Sequence, residues 1–573
     1  MCGVLLILSK NKPLNEKDCW RASKKIKTRG PDKFLQKFFL KNKLYIANSI
    51  LSITGKNKRQ SSSLVSSTNK KYFIAFNGEI YNWKDLGIKY KLRYQNNDTE
   101  LLVNLFQKLD IYNLPKKLDG MFAYCVYDRG KNKIYIASDP QGEKKLFYFN
   151  NKNFSIISST ISAIIAFLKK EDLNIESFKN YFFTRHFLFH KSTCYKNIRV
   201  LEPGAVYTLG VKRHEFLSKK FENPLNWISK RKMKRYSMMT DNEITNHLEK
   251  VIINQLKIMI PEKRFGSIFS GGVDSSVQSA LLSKISQPHL LMALNHIGKD
   301  NITKNIFKFK RYLNTKLHVV DVNKTIYTND VWKCYRITNF PFLTHDFVGK
   351  RQLAEFFKKK GCKVFFAADG ADELFGGYEL YKKLNWNSKK IENHSPYSNF
   401  KLKNSKFNEL WLKAFKRYSF IKNIKHRKMQ ASLFTDYFIQ AIYVGNIGTD
   451  IMCSHSGIEP RNVFIQKKII KEALNLPLKY KINLSAKDPK MILKPLLKKI
   501  FFKHFNKKLI FKKQGFSGYP NDARTLLRKE KKYNRIKKLK LDFNEFKKHF
   551  SKRAYEWKLL NLELFFKFYS QLK

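Results

Sequence analysis

The sequence predicts a multidomain α/β protein: a sheet-rich N-terminal half, then a doubly wound parallel sheet covered by helices, then a helical C-terminal region. Three observations carry this. At 573 residues the chain is several times the usual domain size. Its first two hundred or so residues hold short apolar runs separated by turn signals. From about residue 265, apolar runs alternate with helical patterns, which is how a parallel sheet reads.

The strands expected in the first half are 43–53, 71–76, 121–127, 133–138 and 154–158, most of them antiparallel. The apolar start Val4 to Leu8 has no basic flank and ends after five residues, too short for a signal segment. Between about 216 and 240 the pattern becomes polar and basic around Lys230–Arg235, read here as a solvated linker rather than a contact surface. Strands follow at 265–269, 290–296, 317–322 and 363–368, with helices near 273–285, 302–314 and 349–360. The expected division is 2–215, a linker at 216–240, 241–530, and a basic helical tail at 531–573.

Composition narrows the classes. With 43% hydrophobic, 14% aromatic and 27% charged residues, the chain is rich enough in apolar groups to pack and is not a disordered polymer. Lys and Arg number 112 against 45 Asp and Glu, a formal charge of +67. The excess is spread along the whole chain, which argues against a dedicated nucleic-acid arm and leaves its partner unnamed. Seven scattered cysteines, none in a C-x-x-C pair, indicate neither a disulfide framework nor a zinc site, and a reducing cytoplasm is expected. No apolar run approaches the roughly 20 residues of a membrane span.

Chemistry concentrates in three places. After the 265–269 strand comes Ser270-Gly271-Gly272-Val273-Asp274-Ser275-Ser276, leading into a helix. The glycines let backbone approach an anion, the serines add hydroxyl donors, and the helix N-terminus contributes partial positive charge. The loop lacks a Walker lysine. After the 363–368 strand comes Asp369-Gly370-Ala371-Asp372-Glu373, three carboxylates at the same sheet edge and hard-oxygen ligands for Mg²⁺. At the other end, removal of Met1 would leave Cys2 with a thiol and an α-amine on one residue, a nucleophile with its own base. Arg29-Gly30-Pro31-Asp32, Phe76-Asn77-Gly78-Glu79-Ile80-Tyr81-Asn82 and Asn97-Asp98-Thr99-Glu100 accompany it.

Together these segments resemble glutamine amidotransferases with an N-terminal nucleophile, and with the serine-glycine loop behind them residues 2 to about 520 resemble the glutamine-hydrolysing asparagine synthetase family. The resemblance implies an αββα N-terminal-nucleophile hydrolase sandwich joined to an ATP-pyrophosphatase domain. It implies Cys2 as nucleophile, Asn77 and the Gly78 N–H as oxyanion donors, and Arg29, Glu79 and Asp98 as the glutamine site. It implies ATP on Ile268, Ser270, Gly271, Gly272, Asp274, Ser275 and Ser276, Mg²⁺ on Asp274 and Asp372, and Lys513 as catalytic lysine ahead of Gly515-Phe516-Ser517. Glutamine, ATP and aspartate are the implied substrates, with ammonia carried between sites through an apolar passage. Two alternatives stay open: another carboxylate acceptor, such as a sugar acid, and a tRNA-modifying adenylating protein. So does a homodimer. The chain departs from the family pattern at Lys145, Ala368, Asn339–Asp346, and Glu459-Pro460-Arg461-Asn462-Val463-Phe464-Ile465-Gln466, where a proline and an acid are lost.

Overall fold

The structure is a computed structural model, which describes all residues except 55–63, 93–95, 185–190, 297–301, 323, 342–345, 384–385, 387–405, 512–533, 538–551 and 573. Two antiparallel sheets build the N-terminal half. The first holds β1 (Gly3–Ser9), β2 (Lys33–Phe39), β3 (Leu44–Ile50), β7 (Phe147–Asn150), β8 (Phe154–Ser158) and β9 (Ile198–Val200), in the order β2-β3-β1-β8-β7-β9. The second holds β4 (Tyr72–Ile80), β5 (Gly120–Asp128), β6 (Lys133–Ser138), β10 (Ala205–Gly210) and β11 (Phe216–Lys220), in the order β11-β10-β6-β5-β4.

Val4, Leu6 and Leu8 of β1 and Ile46 of β3 meet Ala75, Ala123, Cys125 and Ile136 in one buried cluster between the sheets. Leu5 and Ile7, on the other side of β1, join the core with Cys19, Ala22 and Ile26 of helix Glu16–Lys27 and Ile161 and Ile164 of helix Ile161–Leu168. Ile74, Phe76, Phe122 and Tyr124 face Leu101, Leu102 and Leu105 of helix Asp98–Leu105. The layers therefore run helix, sheet, sheet, helix, the sandwich implied above. β1 is buried on both faces, so its apolar run is continuous rather than alternating.

Residues 216–240 depart from the solvated linker expected of them. β11 pairs with β10, and Ser229 caps helix Lys230–Met238 by accepting from the Lys232 N–H. Met233 and Tyr236, one helical step apart, are buried, and the Tyr236 hydroxyl bonds Glu472. An amphipathic face lay hidden among the basic residues.

The second half is built on five parallel strands: β12 (Phe265–Ile268), β13 (Leu290–His296), β14 (Leu317–Val322), β15 (Val364–Ala367) and β16 (Glu459–Asn462), ordered β14-β13-β12-β15-β16. Strand order reverses between β12 and β15. Their carboxyl ends carry the Ser270–Ser276 and Asp369–Glu373 segments, the crevice where such sheets take ligands. Helix Lys552–Ser570 packs back on the core, with Tyr335 donating to the Asn561 carbonyl at 2.9 Å. Among the described residues no helix is long and apolar enough to cross a membrane.

Candidate active sites

Cys2 immediately precedes β1, and Asn77 and Gly78 lie on β4 of the facing sheet. Asn48 of β3 fixes their separation. Its amide donates to Gly3 O at 2.9 Å and Phe76 O at 3.0 Å, and its oxygen accepts from the Phe76 N–H. Sequence reasoning missed Asn48, which carries no motif. The Cys2 N–H donates to Asn77 Oδ1 at 2.9 Å. That bond orients the Asn77 amide, whose Nδ2 is buried without a protein partner among the described residues. A buried donor left unspent costs free energy unless a ligand takes it, which suits an oxyanion donor. Gly78 has φ +143°, and a side chain there would collide with the Met121 carbonyl. Burial pushes the Cys2 thiol pKa up, opposed by the nearby terminal amine.

The glutamine-site candidates are brought together, but two of them are already engaged. Arg29 is buried, giving Nε to Cys2 O at 3.1 Å and Nη2 to Asp450 Oδ2 at 2.9 Å. Glu79 is held by Arg461. Asp98 accepts from the Ile80 N–H at 3.0 Å, and burial raises its pKa to about 6 against that bond.

These engagements form the seam between the halves. Arg461, fully buried on β16, bonds Glu79, the Met259 carbonyl and, at 3.0 Å, Glu459 Oε1. The Met1 amine stands 3.6 Å from Glu459, and Lys144 lies 3.3 Å from Asp450. Where an acid was lost at Gln466, its amide donates to Glu143 Oε2 at 2.8 Å, so the carboxyl comes from the opposite half. Burial raises the Glu143 pKa to about 8 and lowers that of Lys145 to about 7. The Tyr81 and Tyr437 hydroxyls and Asn462 Nδ2 are also buried without protein partners among the described residues. The seam is therefore polar and ionic.

At the second centre, Gly271 takes φ +71° and helix Val273–Ser283 begins at Gly272 with no side-chain cap. Its first N–H groups stand ready for an anion. Ser275 Oγ accepts from the Ser270 N–H at 3.2 Å and shares a 3.0 Å bond with Ser270 Oγ, which tightens the loop. Ser276 Oγ is buried with no protein partner among the described residues, and Ile268 ends β12 beneath the loop. Lys494, which sequence reasoning passed over, bonds both Asp274 and Asp372. Although burial opposes its charge, the two carboxylates raise its pKa. A Cβ on Gly377 would strike this pair. The acidic segment is divided in its duties. Asp372 faces the loop, Asp369 is bonded by Thr449, and buried Glu373 accepts from the Tyr378 hydroxyl at 2.5 Å. Lys513 lies outside the described residues.

A cysteine beside an unspent amide donor, joined through a buried ionic seam to a glycine-serine anion loop, defines a glutamine amidotransferase coupled to a nucleotide-dependent synthetase. Residues 1–222 match the glutamine amidotransferase domain model, and residues 248–565 match the asparagine synthase model. The chain belongs to the asparagine synthase family, ATP-dependent ligases that draw nitrogen from glutamine. A provisionally named asparagine synthetase [glutamine-hydrolyzing] 1 of Methanocaldococcus jannaschii is 24% identical over 458 residues, 78% of this chain and 72% of that one. The asparagine synthetase [glutamine-hydrolyzing] of Rattus norvegicus is 24% identical over 334 residues, 54% and 55% of the two chains. A solved glutamine phosphoribosylpyrophosphate amidotransferase from B. subtilis covers 50% of this chain and 64% of its own at 16% identity, with a TM-score of 0.29.

Proposed function

We propose that the chain makes asparagine from aspartate, using glutamine as nitrogen donor and ATP as activator. The observation that supports this most is the union, in one chain, of Asn77 Nδ2 beside Cys2 with the Asp274–Lys494–Asp372 cluster at the anion loop. With Met1 removed, the Cys2 amine takes the thiol proton and the sulfur attacks the glutamine side-chain carbonyl. Asn77 Nδ2 and the Gly78 N–H stabilise the oxyanion, the C–N bond breaks, and ammonia leaves with that proton. Water then cleaves the thioester to give glutamate. Asp98, ionised above about pH 6, holds the glutamine ammonium.

In the second centre the loop N–H groups and Ser276 take the pyrophosphate portion of ATP, and Lys494 turns from the carboxylates toward the phosphates. Asp274 and Asp372 fit Mg²⁺, since two carboxylates already share one cation and substrate phosphates complete a hard-oxygen set. Bound there, the ion neutralises phosphate charge. The aspartate side-chain carboxylate attacks the α-phosphorus and pyrophosphate leaves; ammonia then displaces AMP from the acyl adenylate. Lys513 is proposed to neutralise the phosphates during adenylation.

The test is incubation with glutamine, ATP, Mg²⁺ and aspartate, followed by mass spectrometry. Asparagine with equimolar AMP is expected. AMP formed with a sugar acid and not with aspartate would replace the acceptor and leave the family chemistry standing.

A further inference from the structure

A cavity of about 570 Å³, whose lining includes none of the candidate site residues named above, opens where the halves meet. The glutaminase half presents Arg21, Lys24 and Lys25 from helix Glu16–Lys27, with the Ser162 hydroxyl beside them. The synthetase half presents Lys333 and Arg336 from helix Lys324–Thr338, Arg351 from helix Asp346–Lys359, and His455. Among the described residues, six cationic side chains thus face a single lining carboxylate, Glu355.

That carboxylate is already committed, accepting from Ser456 Oγ at 2.7 Å and from Arg351 at 3.5 Å. Asp330 holds Arg351 at 2.6 Å and Lys333 at 3.2 Å, and Asp18 holds Arg21 at 2.7 Å. Lys24, Lys25 and Arg336 have no ion-pair partner among the described residues. Lys24 and Lys25 are adjacent on one helix and carry like charge with no carboxylate paired to either among the described residues. Two neighbouring helices from the other half add the same sign to the same space, and such a concavity focuses field on a counter-ion.

The lining also limits what the anion can be. Among the described residues Ile337 is its one apolar side chain, and no Phe, Tyr or Trp lines it to stack a nucleobase. The volume lies in the range of small-ligand sites and exceeds what one orthophosphate fills. We propose that this cavity binds a compact inorganic polyphosphate anion of the di- or triphosphate kind, gripped by Lys24 and Lys25 from one half and Arg336 from the other.

The test is calorimetric titration of the full chain with inorganic tripolyphosphate in EDTA, which needs no turnover and so stands apart from the proposed reaction. Binding and a raised melting temperature are expected, with at least tenfold weaker binding in Lys24→Glu/Arg336→Glu. A control with the same charge change, Lys212→Glu/Lys219→Glu, should stay within twofold of the parent. If the first variant does not fold, Lys25→Met/Lys333→Met gives the same readout. No binding by the parent, equal binding by Lys24→Glu/Arg336→Glu, or equal loss in the control would overturn the proposal. So would single-stranded RNA that binds more tightly with length and resists displacement by tripolyphosphate.

Discussion

The two candidate centres stand in opposite conditions. Around Cys2 the machinery is open-handed: Asn77 is oriented by the Cys2 N–H, and its Nδ2 waits unspent. Around the anion loop the charges have closed on themselves, with Lys494 bridging Asp274 and Asp372. On the proposed reading the first centre holds its oxyanion donor ready, while the second exchanges an internal ion pair for phosphate and metal. The contrast is confined to the reacting groups, because Arg29 and Glu79 near Cys2 are also paired, with Asp450 and Arg461.

Changes at either centre, or at the seam between them, can break that contrast. The largest effect is expected from Cys2→Ala, which should lower glutamine-dependent turnover by at least about 10³-fold. Ammonia-dependent turnover should survive, and its loss in a folded variant would end the division of labour. At the seam, Arg461→Met leaves Glu79 and Glu459 buried without their shared guanidinium. Chemical denaturation should register a loss of about 3–5 kcal/mol.

Asp274→Asn should slow pyrophosphate release by about 10²-fold while glutaminase activity persists. An unchanged pyrophosphate yield would remove Asp274 from the site. The smallest effect concerns Asp98, whose pKa burial raises to about 6. Its protonation in the free enzyme should cut glutaminase kcat/KM about tenfold per pH unit below about pH 6. Asp98→Asn should flatten that limb. The same upward shift favours the neutral carboxyl in the fold, so its contribution to stability is lost as pH rises from the ordinary carboxylate range through about 6.

How much of this could be read from sequence depended on whether the signal was local. Runs 133–138, 154–158, 290–296 and 317–322 are strands at those same bounds; β-branched and aromatic residues mark the first, second and fourth, and a short continuous apolar run marks 290–296. β16, Glu-Pro-Arg-Asn, has no strand signal and exists through its ladder to β15. Helix Asp346–Lys359 begins three residues before the apolar pattern that announced it. The loops were legible because glycine and serine spacing is itself the device. Their long-range partners were not, since Lys494, Arg461 and Asp450 are single charges in a chain with 112 basic residues.

The central claim is that nitrogen released at Cys2 is used at the anion loop of the same chain. It is tested most directly with amide-¹⁵N glutamine, ATP, Mg²⁺, aspartate and a large excess of unlabelled ammonium. The account predicts ¹⁵N-asparagine with matching AMP and pyrophosphate, its label undiluted by the ammonium. Asparagine carrying only unlabelled nitrogen would contradict it, whereas glutamate formed without AMP would overturn aspartate as the acceptor.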